Sequence, residues 1–451
     1  VKRLFGTDGI RGVAGEFPLD DATVGRIGRA LPHVLAAADG RALRVVIGRD
    51  TRESSPAIEA ALKRGIESAG GRVDCGGVLS TPAVACVARQ MEYDAGIVVS
   101  ASHNPYRDNG IKVFSHEGYK LPDAVEMRIE AEVLEGAPAA PATPPPGAGG
   151  GTVDLAHRYL DFLRGTVAAG ASYTGWTLVL DCANGAASQL APELFASLGA
   201  RVVILNASPD GRNINEGCGA LHPQPLAAAV LSHGAHLGLA FDGDADRCLL
   251  VDGRGRILDG DYIVYLAAMD LKRSGRLAGD TVVGTVMTNL WMERALEAAG
   301  IRTLRAPVGD KYVLEEMRAG GYVLGGEQSG HVIFLEQATT GDGLLTGLQI
   351  LDLLARTGLD LAGWADTVRP CPQILINVPV RARPALDSHP RIGPAIRDEE
   401  RRLGRAGRLV VRYSGTEPKA RIMVEAESPR TVEECAERLR RLIDEEIGCN
   451  G

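Results

Sequence analysis

The sequence predicts an α/β protein: three similar domains of mixed or parallel sheet around a central cleft, followed by a smaller α+β domain. Three observations lead there. Strands and helices alternate through three rounds of one pattern, each round ends in a polar loop rich in reactive side chains, and the pattern changes after about Arg369. Alternating strands and helices imply mostly parallel pairing. In such sheets ligands lie beyond the carboxyl ends of the strands. At 451 residues the chain is also too long for one hydrophobic core.

The first unit, taken as 1–150, has a buried strand at Leu43-Arg-Val-Val-Ile47. Ser55-Pro56 then suits a helix cap and first helical position, with Ile58, Leu62 and Ile66 on one face and a stop at Gly70-Gly71. It closes with Ala95-Gly-Ile-Val-Val99, whose exit loop carries Ser102. Residues 136–151, made of Gly, Ala, Pro and Thr, cannot pack a core and read as a linker. The second unit, 151–255, repeats the plan with Leu178-Val-Leu180, a helix over 189–198, Arg201-Val-Val-Ile-Leu205 and a helix over 225–233. Its closing strand, Leu237-Gly-Leu-Ala-Phe241, leads into Asp242-Gly-Asp-Ala-Asp-Arg247. The third unit, 256–368, runs from Thr281-Val-Val283 to Tyr322-Val-Leu324 and exits through Gly326-Glu-Gln-Ser-Gly-His331. In the fourth, 369–451, short strands such as Ile374-Leu-Ile-Asn-Val378 precede a helix with Val432, Cys435, Ala436, Leu439, Leu442 and Ile443 on one stripe.

Composition narrows the function. Apolar residues at 45% and charged residues at 24% describe a soluble globular chain. A net charge of -8 without a basic run argues against nucleic acid, and any anionic substrate must be drawn in by local cations. The eight cysteines are scattered without a Cys-x-x-Cys pair, which argues against structural zinc and a disulfide framework. No apolar run reaches the length of a membrane span and no signal-peptide core opens the chain, so a cytoplasmic location is expected.

The loops carry the chemistry. Asp242, Asp244 and Asp246 alternate, so an extended segment would aim all three carboxylates one way. Such hard oxygen donors suit one Mg²⁺ beside a phosphate, with Arg247 as a second cation. An EF-hand would need Gly and Glu where Arg247 and Gly253 stand, so calcium is excluded. In Val98-Val-Ser-Ala-Ser-His-Asn-Pro-Tyr106 the Asn-Pro turn is expected to expose the Ser102 hydroxyl as a phosphoryl carrier. His103 supports it, and Lys112 offers a cation or proton carrier. In Arg412-Tyr-Ser-Gly-Thr-Glu-Pro418, Ser414, Gly415 and Thr416 can form an anion nest. Arg412 and Arg421 can fork onto the same phosphate. Glu327, Ser329 and His331 alternate in a glycine-rich segment, a comb for sugar hydroxyls if that segment is extended. Thr7, Asp8 and Arg11 form a further polar group near the N-terminus, which equally suits a plain tethering loop.

These segments, in this order, resemble the phosphohexomutase superfamily across nearly the whole chain. Phe5-Gly-Thr-Asp-Gly-Ile-Arg-Gly12 and the Glu-Gln-Ser of the third loop are similar to its glucosamine branch. The resemblance implies that Ser102 carries phosphate, that the three aspartates and an oxygen of that phosphate hold Mg²⁺, and that Glu327 and Ser329 bind the sugar. It implies that the 412–421 loop grips the non-transferring phosphate. The implied reaction interconverts glucosamine 6-phosphate and glucosamine 1-phosphate through glucosamine 1,6-bisphosphate, an intermediate or activator, in cell-wall precursor synthesis. The first phosphate would reach Ser102 from an activating kinase or from the bisphosphate, and a homodimer is the default expectation. Val308-Gly-Asp-Lys311 departs from the usual Val-Gly-Asp-Arg, keeping a cation but losing the planar fork. Rivals are the same chemistry on glucose or mannose phosphate, a metal-dependent phosphatase using Ser102, and a sugar-phosphate sensor.

Overall fold

The computed structural model describes residues 4–35, 41–135, 154–414 and 418–449. The Pro/Ala/Gly segment 136–151, read as a linker, lies outside them. In the first sheet Arg44–Arg49 lies between its parallel neighbours Arg72–Val78 and Ala95–Val99, and Asp108–Ser115 runs antiparallel beside Ala95–Val99. The second sheet repeats this with Thr177–Asp181 between Arg201–Leu205 and Leu237–Phe241, then Cys248–Asp252 antiparallel. The third has Thr281–Thr285 between Arg302–Ala306 and Leu324–Gly326, then Val332–Phe334 antiparallel.

Connection length explains the mixture. Helical crossovers return the chain for a parallel strand, whereas a short loop can only join antiparallel neighbours. Each polar loop singled out in the first three units is therefore a bend between a buried parallel strand and its antiparallel partner. Two short additions extend the sheets. A hairpin of Phe5–Gly6 and Gly9–Val13 joins the edge of the first, beside Asp108–Ser115. Ile257–Leu258, assigned from sequence to the third unit, pairs instead with Cys248–Asp252 in the second.

Some boundaries differ from expectation for local reasons. The helix Ser55–Ser68 has Ser54 at its N-cap position, without a side-chain cap hydrogen bond, and Ser55 turns its hydroxyl to Asp50 Oδ1 at 2.9 Å. The third closing strand begins at Leu324, because Tyr322 still closes the preceding helix, its N–H bonding Met317 O at 2.8 Å.

One buried apolar cluster runs through the first three units, from Val46 and Val84 through Leu180, Phe195 and Leu239 to Val282 and Leu324. The helix Gly343–Thr357 threads it with buried Leu344, Leu345, Leu348, Leu351 and Leu354. The fourth unit has a separate core. Its antiparallel sheet places Lys419–Ala426 between Gln373–Pro379 and Gly407–Tyr413, with helices Ile392–Leu403 and Pro429–Ile447 packed on it. Among the described residues no helix is long and apolar enough to cross a membrane.

Separate cores imply separable stability. Ile443, fully buried in the fourth unit, is expected to cost about 2–5 kcal/mol when replaced by Ala. Calorimetry of Ile443→Ala should then show a fourth-unit transition at lower temperature, with the main transition in place.

Candidate active site

Ser102 follows the buried strand Ala95–Val99 with φ +51°, a left-handed conformation that costs a non-glycine residue about 1–3 kcal/mol unless its surroundings impose it. Here they do. Arg52, fully buried, grips Asp50 Oδ2 through Nε at 2.8 Å and donates from Nη2 to Ser102 O at 2.9 Å and Asn104 O at 2.8 Å. From the second unit, Asn215 Nδ2 donates to the same Ser102 O at 2.9 Å. Ser100 Oγ donates to Asp50 Oδ2 at 2.6 Å and accepts the Ser102 N–H at 2.9 Å. The hydroxyl expected to be exposed is thus enclosed: Ser102 is 1% accessible. Its Oγ donates to Asp242 Oδ2 at 2.6 Å and lies 3.4 Å from His103 Nδ1. Closure by the second unit, which the turn alone does not reveal, is the reason.

Asp242, Asp244 and Asp246 do converge, with one oxygen from each within 4.8 Å of the others, but on a tight turn and not on an extended segment. Ala245 makes the bend with φ +56°, and its N–H bonds Asp242 O at 3.1 Å. Gly243 lets the turn reach the Ser102 loop: a Cβ there would lie 2.5 Å from Ser102 O and 2.8 Å from Asn215 Nδ2. Burial first, then Asp246 and Asp244, pushes the Asp242 carboxyl well above its ordinary pKa. Burial also opposes ionisation of Asp246, but Lys112, His331 and Arg247 outweigh it and hold that carboxyl low. Asp244 Oδ1 and Asp246 Oδ1 are buried without a hydrogen-bond partner. Two such oxygens on one loop, beside a third carboxylate, fit the donor set of a hard divalent cation.

Cations surround this loop. Lys112 Nζ lies 2.9 Å from Asp244, 3.1 Å from Asp8 and 3.6 Å from Asp246. Burial disfavours its charge, yet Asp244, Asp8 and Asp246 raise its pKa well above the usual lysine value. Arg247 Nε is 3.9 Å from Asp246 Oδ1. His103 is brought down to about 4 by burial, then by Arg247 and Arg11, so its ring is neutral at pH 7. Asp8 and Arg11 pair with each other at the first hairpin, and Arg11 Nη1 reaches Asn104 Oδ1 at 3.4 Å. Thr7 sits exposed at the hairpin tip.

The 327–331 segment departs from the expected comb. It is a turn, with Gly330 N–H bonded to Glu327 O at 3.0 Å, so its side chains do not share one side. Glu327 Oε1 accepts from Gly309 N–H at 3.0 Å, and Ser329 Oγ is buried without a partner. His331 turns inward, 3.6 Å from Asp246 and 3.9 Å from Asp310. Burial works against a charged ring, but Asp246, Asp310 and Glu327 carry its pKa up to about 9. The Gly341 N–H, 3.1 Å from Nε2, is the contact that favours the neutral form.

In the fourth unit Arg412 and Arg421 are directly opposed across the ladder. Burial first, then Arg421, lowers the Arg412 pKa. Like charges facing across a sheet repel, so the pair is suited to an anion. Ser414 N–H bonds Lys419 O at 2.9 Å; Gly415 and Thr416 lie outside the described residues.

Comparison with known proteins agrees with this arrangement. The four "Phosphoglucomutase/phosphomannomutase" domain models match in order: alpha/beta/alpha domain I at residues 2–139, II at 157–255, III at 259–370 and the C-terminal domain at 375–442. A phosphoglucosamine mutase of Koribacter versatilis is 50% identical over 460 residues, covering 99% of this chain and 98% of the relative. The chain belongs to the phosphoglucomutase/phosphomannomutase family. A phosphoglucosamine mutase of an Anaeromyxobacter species is 48% identical, covering 98% of this chain and 96% of its own length. Among solved structures, a phosphoglucomutase/phosphomannomutase family protein from Burkholderia thailandensis superposes with TM-score 0.79 at 27% identity, covering 98% of this chain and 97% of that one.

Sequence reasoning for this family member missed the residues that hold Ser102. Arg52, Asp50 and Asn215 are single polar residues far apart in the chain, and nothing local announces their convergence. Gly243 had a better signal, a glycine between two aspartates. Its replacement by Ala is expected to displace the Ser102 loop and lower kcat roughly 100-fold, with a folded protein by circular dichroism.

Proposed function

We propose that this isomerase interconverts glucosamine 6-phosphate and glucosamine 1-phosphate, using Ser102 as phosphoryl carrier. The substrate choice is supported by relatives named phosphoglucosamine mutase that are 44–50% identical over nearly the whole chain. The chemistry is carried by one observation: a serine oxygen 2.6 Å from the first carboxylate of a buried aspartate trio.

Phosphoserine 102 gives its phosphoryl group to the free sugar hydroxyl. The new sugar O–P bond forms as the Oγ–P bond breaks, yielding glucosamine 1,6-bisphosphate. The bisphosphate turns end for end, and its other phosphoryl group returns to Ser102. Asp242, Asp244 and Asp246 would hold Mg²⁺, which supplies charge neutralisation at the phosphoryl oxygens. Arg247 adds a fixed cation beside the same loop. Lys112, held as an ammonium by three carboxylates, gives a proton to the oxygen that leaves phosphorus, Ser102 Oγ in the first transfer and the sugar oxygen in the second, and recovers one from the attacking hydroxyl. His331 is the second candidate for that role. Arg412 and Arg421, with Ser414, Gly415 and Thr416, grip whichever phosphate is not being transferred. Glu327 and Ser329 orient the sugar.

The purified enzyme should isomerise glucosamine 6-phosphate faster than the glucose or mannose 6-phosphates and release almost no inorganic phosphate. Mass analysis should find one phosphate on the peptide spanning 95–112, and Ser102→Ala should lose roughly 10⁴-fold or more in rate. A preference for mannose 6-phosphate would overturn the substrate assignment, and normal turnover by Ser102→Ala would overturn the relay. Arg421→Ala should raise KM about 10- to 100-fold, the worth of one charge-assisted hydrogen bond to phosphate.

A further inference from the structure

Lys120 lies outside every loop considered above, and the relay gives it no part. It stands between the first and third units. Its Nζ is 2.5 Å from Asp8 Oδ1 and also ion-paired with Asp310 Oδ2, which opens the helix Asp310–Gly320. The Lys120 and Asp310 side chains are each only 16% exposed.

Both partners lead to the reacting loops. The other oxygen of Asp8 is 3.1 Å from Lys112 Nζ, and Lys112 is 3.6 Å from Asp246 Oδ2. On the other side Asp310 Oδ2 is 3.9 Å from His331 Nε2, whose Nδ1 is 3.6 Å from the same Asp246 oxygen. The contacts close a ring: Asp246, His331, Asp310, Lys120, Asp8, Lys112 and back to Asp246. Carboxylates alternate around it with basic side chains, in a poorly hydrated interface. The first unit supplies Asp8, Lys112 and Lys120, the second Asp246, and the third Asp310 and His331.

We propose that Lys120 is a positioning residue for phosphoryl transfer: by bridging Asp8 to Asp310 it fixes the spacing of the first and third units, and so places Lys112 and His331 against the metal loop. The inference rests on the mutase reading given above. Simple cohesion between the units does not require it. Lys311 pairs with Asp123, and Arg318 lies 4.2 Å over the Tyr119 ring, across the same boundary. Neither reaches the Asp8–Asp310 gap, and among the described residues Lys120 is the cation that touches both carboxylates. Without it, Asp8 and Asp310 lose the cation they share, and the change is felt at Lys112 and His331, which these two carboxylates also contact.

The test compares Lys120→Met, Lys120→Arg, Asp310→Asn and the Lys120→Met/Asp310→Asn pair, as full-length enzyme with Mg²⁺ and with the Ser102 phosphate measured by mass. Lys120→Met should lower kcat for glucosamine 6-phosphate by about 10- to 100-fold while KM moves less than about 3-fold, since a misplaced group slows the chemical step more than binding. Lys120→Arg should recover most of the loss, and the double variant should lose less than the product of the two single losses. Should Lys120→Met fail to fold, Asp310→Asn against Lys120→Arg carries the same comparison, with the lower kcat expected for Asp310→Asn. A folded Lys120→Met enzyme with kcat within about 3-fold of the parent, or losses that multiply in the pair, would overturn the role. An inactive parent would overturn the mutase reading and this role with it, whereas an active parent with unaffected variants overturns this role alone.

Discussion

Three carboxylates within 4.8 Å on one buried turn repel each other, and the arrangement around them answers that repulsion. Lys112 comes from the first sheet, Arg247 from the turn itself, and His331 from the third sheet. Even the serine hydroxyl contributes by donating to Asp242. The compensation is incomplete, since one oxygen each of Asp244 and Asp246 has no hydrogen bond. A site in that condition is energetically prepared for a divalent cation, and the loops of three domains have to meet for it to exist.

They meet because one topological plan is used three times. In each sheet the bend sits where a central parallel strand gives way to its antiparallel neighbour. A bend there is anchored on both sides by buried ladder bonds, which lets it hold a strained residue such as Ser102 in place. The shared core then fixes the three bends relative to one another, with the helix Gly343–Thr357 as the spine. Its first residue is pressed onto the metal loop: a Cβ on Gly343 would lie 2.4 Å from Arg247 O. Packing and catalysis are therefore not separable in this region.

The strand-and-helix rounds were legible in the sequence because hydrophobic periodicity and turn residues are local signals. So was the convergence of the aspartate trio, whose residues lie within a single loop. Geometry that depends on a second loop was not. The exposed Ser102 was a fair reading of an Asn-Pro turn, but Asp242 and Asn215 close over it from another domain. The one-sided comb of Glu327, Ser329 and His331 assumed an extended chain, and the Gly330 turn removes that premise. Arg52 and Lys120 could not be singled out, because a lone basic residue acquires meaning only from partners distant in sequence.

The opposed arginines of the fourth unit have a consequence for how that unit responds to its ligand. Arg412 and Arg421 face each other across the ladder between Gly407–Tyr413 and Lys419–Ala426, in a small sheet that has a core of its own. An anion between two such guanidiniums screens their mutual repulsion. The smallest domain would then hold its anion by a charge pair on its own sheet, independently of the core that the other three units share.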